Sequence, residues 1–206
     1  MANSNSPFGF QQYYGGAGGA PTFAQTCYKV DDSAAAIYFG DLVMNDAATG
    51  KIIIATAGTQ VITGVFAGCK YLSTSQKRTV WSNYWPGSDA TGDVEAYVID
   101  DPNARFKVMG GSTTFNITGT LTNTTTSPIG QYAQFAVGTP NSTTGISGAF
   151  LSSLGTTVTF PFIVVGLITT PPGASGTDPL SAYNQVVVGW NNQILRTNGA
   201  GPTGLA

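Results

Sequence analysis

Histidine is missing from this chain of 206 residues. Without it, Ser-His-Asp and Cys-His nucleophiles, most catalytic zinc sites and the usual proton shuttle near neutral pH are excluded. Charge is scarce as well: Asp, Glu, Lys and Arg together make up 9%, where an ordinary soluble domain has about a quarter. With a net charge of −2 and no basic run, nothing here forms an electrostatic footprint for a phosphate backbone, and no nucleic-acid partner is expected. Lys77-Arg78 beside Lys70 reads as a solvated loop. The longest strongly apolar run, Phe160 to Ile168, has nine residues; a membrane helix needs about 20, so no membrane partner is expected.

Cysteine occurs only twice, as Cys27 and Cys69, which form neither a CxxC pair nor half of a zinc site. The start MANSNSPFGF has neither a cationic segment nor an apolar signal core, so synthesis in the cytoplasm is expected. There both thiols stay reduced, and both are read as half-buried. A surface this poor in ions has weak colloidal repulsion. Much of it is therefore expected to be covered by a partner or wetted by hydroxyls and amides.

Apolar residues are not lacking. At 42% hydrophobic content and a mean hydropathy of +0.08, the chain has enough to bury a core. Short runs rich in Val, Ile, Phe and Tyr alternate with Gly, Asn, Asp and Pro, the pattern of successive strands. Strands are expected over 36–44, 51–57, 60–68, 78–85, 93–100, 105–109, 113–118, 131–137, 157–168, 184–190 and 193–196. The 27 glycines and 11 prolines follow no Gly-X-Y period and argue against long helices. The fold class that follows is all-β, an antiparallel β-sandwich or barrel with an extended N-terminal arm.

The arm is residues 1–26, the β domain 27–196, and the C-terminal tail 197–206. Within the domain, 110–155 is rich in Thr, Ser, Asn and Gly and reads as an inserted hairpin or subdomain. In the arm, Gly15, Gly16, Gly18, Gly19 and Pro21 forbid regular structure. Phe8, Phe10, Tyr13 and Tyr14 among them are too aromatic for a linker. They are read as interface anchors, laid on a partner or sister subunit, with folding back onto the chain's own domain as the alternative.

The densest cluster of chemistry is VWSNYWPGSDATGDVEAYVIDDP, Val80 to Pro102. A glycosidase would need two facing carboxyls, and Asp93, Glu95, Asp100 and Asp101 are the candidates. Strand alternation, however, sends Asp93 and Glu95 to one face and Ala96 and Val98 to the other. Asp101-Pro102-Asn103 reads as a turn capped by its Asp. The string from Asp89 through Gly92 and Asp93 to Glu95 lacks the spacing of an EF-hand. Ser73, Thr74 and Ser75 before Lys77 match no Ser-Lys dyad. Ala48-Thr49-Gly50-Lys51 is followed by Ile52, not by Ser or Thr, so no phosphate loop forms. No catalytic, cofactor-binding or metal-binding residue is assigned. Trp81, Tyr84 and Trp85 are read as core and turn-packing aromatics of a hairpin.

Taken in order, Gly40-Asp41, Gly64-Val65-Phe66-x-Gly68 with Tyr71, Tyr84-Trp85-Pro86, and Ala96-Tyr97-Val98 running into Asp100-Asp101-Pro102 and Phe106 form a pattern. A late strand pair follows at Gly166–Pro172 and Tyr183–Trp190. This set resembles a family of small β-rich virion proteins of tailed bacteriophages, called decoration or cement proteins, whose members also tend to open with MAN and a Gly-containing arm. The resemblance covers Asp41 to Val108 well and Pro161 to Trp190 loosely. It is absent through much of Gly110–Gly155 and after Arg196. It implies a structural, non-enzymatic homo-oligomer on the capsid surface of the virion, with the major capsid protein as partner. The alternative is a tail or head-fibre component, or a carbohydrate- or receptor-binding virion module, which would expose aromatics on one face of the β domain.

Overall fold

The computed structural model describes residues 3–14, 24–31, 34–90, 92–120 and 123–196. The fold is all-β: among these residues the only helical element is a 3-10 turn at Thr113–Phe115. In chain order the strands are β1 (Gln11–Tyr14), β2 (Thr26–Val30), β3 (Leu42–Asn45), β4 (Ile52–Ile54) and β5 (Gly64–Leu72). Next come β6 (Thr79–Ser82), β7 (Val94–Ile99), β8 (Arg105–Met109), β9 (Thr118–Thr120) and β10 (Asn123–Thr126). The last are β11 (Tyr132–Ala136), β12 (Phe150–Gly155), β13 (Phe162–Leu167) and β14 (Gln185–Trp190).

One sheet runs β1-β8-β14-β13-β11-β12, antiparallel throughout. Gly110, just past β8, makes a parallel bridge to Leu151 on β12, which draws the far strand back beside β8. The other sheet runs β3-β4-β2-β7-β5-β6, and a further β3–β5 pairing closes its first five strands into a small barrel. In that sheet β6 is left as an edge strand. Closure leaves few unpaired backbone groups to recruit other chains.

Period-two alternation explains how the small barrel packs against the first sheet. On β3, Val43 points into the small barrel and Leu42 out of it, against the first sheet; Phe66 and Val65 divide the same way on β5, and Val98 and Ile99 on β7. The small barrel is filled by Val30, Ile37, Val43, Ile52, Phe66, Tyr71, Trp85, Val94, Ala96 and Val98. The larger core takes Leu42, Val65 and Ile99 together with Phe106, Phe135, Phe162, Val188 and Trp190 from the first sheet. Each such buried side chain contributes about 1.5–3 kcal/mol, so these three outward residues bind the halves into one unit.

The N-terminal segment is part of that unit. β1 pairs with β8, and Phe10 is 1% exposed, its ring stacked on Phe162 at 4.8 Å. The expected boundary at residue 26 therefore does not separate an arm from a domain over residues 3–14. The glycine-rich stretch 15–23 and the tail 197–206 lie outside the described residues. The expected insertion at 110–155 also shrinks. Only the β9–β10 hairpin stands apart, while β11 and β12 are integral strands of the first sheet.

Several expected strands differ: 60–68 is shifted to Gly64–Leu72, 78–85 ends at Ser82 and 157–168 begins at Phe162. The run 36–44 is broken at Gly40, whose φ is +89°, so that Ile37 bridges Trp85 and the strand proper starts at Leu42. Residues 113–118 begin as the 3-10 turn, with Ser112 Oγ accepting from the Thr114 amide. Residues 193–196 form no strand. There the buried Gln193 amide donates to the carbonyls of Thr63 (2.9 Å) and Asp100 (3.1 Å), tying the C-terminal end to the small barrel.

Candidate functional site

The acids of the Val80–Pro102 stretch are committed to structure. Asp89 accepts from the hydroxyls of Ser73 (2.6 Å), Thr74 (2.8 Å) and Ser75 (3.1 Å) and from the Ser75 amide (2.9 Å). These donors, the Ser73 hydroxyl foremost, lower its pKa to about 2. Asp100 accepts from Thr26 Oγ1 (2.9 Å) and the Tyr28 hydroxyl (2.8 Å), joining the end of β7 to β2. Asp101 makes the expected turn, accepting from the Asn103 amide at 2.8 Å, and its carbonyl takes the Trp190 indole N–H at 3.1 Å. Ser73, the first hydroxyl of the Ser-Lys candidate, thus donates to a carboxylate. Among the described residues no three His, Cys, Asp or Glu side chains converge on a metal-sized point.

Asp93 and Glu95 stand on the outer face of the small barrel, as alternation requires. Register places Trp81 on β6 opposite Lys70 on β5, Lys70 opposite Glu95 on β7, and Glu95 opposite Lys29 on β2. Lys70 Nζ lies 2.7 Å from Glu95, and Lys29 Nζ lies 3.0 Å from Asp93 and 3.9 Å from Glu95. These bonds lower both carboxyl pKa values and raise that of Lys70. The groups are open to solvent, so the ladder adds little stability. It fixes an orientation: two cations and two anions in a row, with no net charge.

Beside this ladder lies the main departure from the sequence reading. Trp85 is in the small barrel as expected, at 1% exposure, but Trp81 is 69% exposed. On β6, Val80 faces the interior and Trp81 the solvent. The chain leaves the strand after Ser82 and turns before Trp85 re-enters opposite Ile37. The Trp81 and Tyr97 rings lie parallel, 3° apart in plane with centroids 5.7 Å apart, and Lys70 Nζ sits 5.3 Å from the Trp81 ring centre. Tyr84 is half-buried and stacks on Tyr38.

Trp81 and Tyr97 flank a depression of about 440 Å³, also lined by Gln25, Ala67, Gly68 and Asn83. Beside it, Gly68 pairs with Tyr97 just past the irregularity in the β5–β7 register, which falls between Phe66 and Gly68. The φ of Gly68 is +137°, and a Cβ there would come within 2.9 Å of the Ser82 carbonyl oxygen. Asn83 is held in place by donating to the Thr144 carbonyl at 2.8 Å.

The expected anchors do not form one patch. Phe10 is in the core and out of reach of any partner. Phe8 is half-buried, with Lys107 Nζ 5.4 Å from its ring centre. Tyr13 and Tyr14 pack edge-to-face at 4.4 Å and line a separate depression with Arg105 and Val187. The cysteines also differ from the half-buried reading: both are free, but Cys27 is exposed beside Tyr97 in the β2–β7 register and Cys69 is buried.

The fold and this face define an all-β protein with an exposed aromatic and ion-paired surface. Compared with protein-family models, curated proteins and solved structures, the chain matches none.

Proposed function

We propose that this chain is a structural virion protein of a tailed bacteriophage, a decoration or cement protein. In this reading it binds and stabilises the shell of the major capsid protein as a homo-oligomer and carries no catalysis. The observation that carries the non-catalytic part is where the acids go. Asp89, Asp93, Glu95, Asp100 and Asp101 each accept from named structural donors or pair with a lysine. Asp93 and Glu95, which share Lys29, stand side by side on the outer face of the small barrel, where glycoside hydrolysis needs two carboxyls flanking a bound sugar.

Support for the virion part comes from the resemblance, whose residues occupy the joints of the fold. Asp41 is the clearest case. It accepts from the Ser147 hydroxyl (2.5 Å) and the Tyr38 amide (2.7 Å), while the neighbouring Gly40 carbonyl takes the Phe10 N–H. That cluster holds the N-terminal segment, the small barrel and the 145–149 loop together. With Phe10 interior, shell contacts fall to the outer surface of the two sheets and to the remaining aromatics. Immunogold labelling of purified particles tests this reading. Label spread over the head facets is the expected result; label confined to tails, or none on particles, overturns it.

A further inference from the structure

We propose that the depression flanked by Trp81 and Tyr97 binds an uncharged carbohydrate, one or two pyranose rings of a neutral glycan. This inference goes beyond the shell reading and does not depend on where the protein sits. A scattered exposed apolar side chain needs no explanation, but Trp81 is not scattered. Its ring is parallel to that of Tyr97, beside a depression where the bare backbone of Gly68 lets the Ser82 carbonyl come close. Aromatic faces carry partial negative charge, which suits the polarised C–H groups on the apolar face of a sugar. The sugar's rim of hydroxyls needs donors and acceptors near the rings: Gln25 and Asn83 line the depression, and Lys70, bonded to Glu95, lies by the Trp81 ring.

Charge and size choose among ligands. Lys29, Lys70, Asp93 and Glu95 cancel, and the 2.7 Å Lys70–Glu95 bond already satisfies the charge nearest Trp81. An anionic polymer or a cation would have to break that pairing to gain a counter-charge. A neutral polyol can bond to the ion pair without breaking it. The volume of about 440 Å³ suits a small ligand, whose sites span roughly 300–1,000 Å³. The rings of Trp81 and Tyr97 alone fall far short of the roughly 800 Å² that each side of a stable protein interface buries.

The chain supplies its own reporter. Of its three tryptophans, Trp85 and Trp190 are buried, so emission quenched by iodide belongs to Trp81. The full chain is titrated to millimolar concentration with uncharged hexasaccharides of α- and β-linked glucose, of N-acetylglucosamine and of mannose. The proposal expects at least one of them to shift emission to the blue and shield Trp81 from iodide, while heparin does neither. By calorimetry, Trp81→Ala weakens that sugar at least about tenfold, as truncation of a central aromatic anchor does. Tyr97→Ala weakens it as well, and Trp81→Phe retains part of the affinity. Since Trp81 is at the surface, unchanged circular dichroism of Trp81→Ala separates lost binding from lost fold. The proposal is overturned if no sugar shields Trp81 or if Trp81→Ala binds as well as the parent. It is equally overturned if Trp81 is already shielded by self-association, which would make the face a subunit contact.

Discussion

Replacing Phe10 with alanine distinguishes a folded-back N-terminal segment from an arm that anchors a partner. Phe10 stacks on Phe162 at 4.8 Å, Phe162 stacks on Trp190 at 5.1 Å, and the Phe10 amide donates to the Gly40 carbonyl at 2.9 Å. Truncating a buried phenylalanine costs about 3–5 kcal/mol, more where the surroundings cannot collapse into the cavity. They are tight here: a Cβ on Gly9 would meet Ser147 Cβ at 2.8 Å, and one on Gly40 would meet the Phe10 amide nitrogen at 3.1 Å. The upper part of the range, about 4–5 kcal/mol, is therefore expected. In a chain of this size that corresponds to a fall in Tm of about 8–20 °C. Thermal and urea denaturation followed by circular dichroism measure it, with Tyr14→Ala as an exposed control expected within about 0.5 kcal/mol of the parent. If Phe10→Ala melts with the parent but no longer assembles, Phe10 is a partner anchor and its place in the core is wrong.

Other outcomes follow from single groups. The depressed pKa of Asp89, about 2, means that its contribution is present above the ordinary carboxylate value and lost as pH falls through about 2. The Ser75 amide should stay protected from hydrogen exchange in mild acid, and Asp89→Ala should lose that protection and speed tryptic cutting at Lys77 and Arg78 severalfold. Asp41 has the opposite sign: burial raises its pKa, only partly offset by the Ser147 and Tyr38 hydrogen bonds. Its contribution is complete below the ordinary Asp value and lost as pH climbs through the raised one, so Asp41→Asn should flatten the urea midpoint against pH. Cys27 should react with a maleimide at once. Cys69, buried with its thiol pKa pushed up to about 12, should react only on unfolding, and a Cys27–Cys69 crosslink in unreduced protein would contradict this.

The strands legible in the sequence are those whose alternation is strong: β7, β8 and β14 read as apolar runs and lie where they were expected, while β5 starts and ends four residues beyond the expected 60–68. β1 and β12 were not legible for a physical reason. Gln11–Tyr14 has no alternation of its own, and its pairing is set by β8, over 90 positions away in the sequence. Phe150–Gly155 buries only Leu151 fully. The candidate face was hidden by parity. Trp81 and Trp85 are four apart, so an unbroken strand would put both on one side. The turn after Ser82 puts them on opposite sides, and nothing in the composition of SNYW announces it. The ion ladder was half visible: alternation placed Asp93 and Glu95 together, but their lysine partners come from β2 and β5 and emerge only with the sheet order.

The proposal of a structural protein of the particle, built as one unit of small barrel and sheet, is tested most directly by cryo-EM reconstruction of purified virions at side-chain resolution. The result it predicts is density for the small barrel joined to the six-stranded sheet, repeated across the head lattice, with Phe10 packed on Phe162 of the same subunit. Density for this fold only on the tail, or nowhere on the particle, would contradict it.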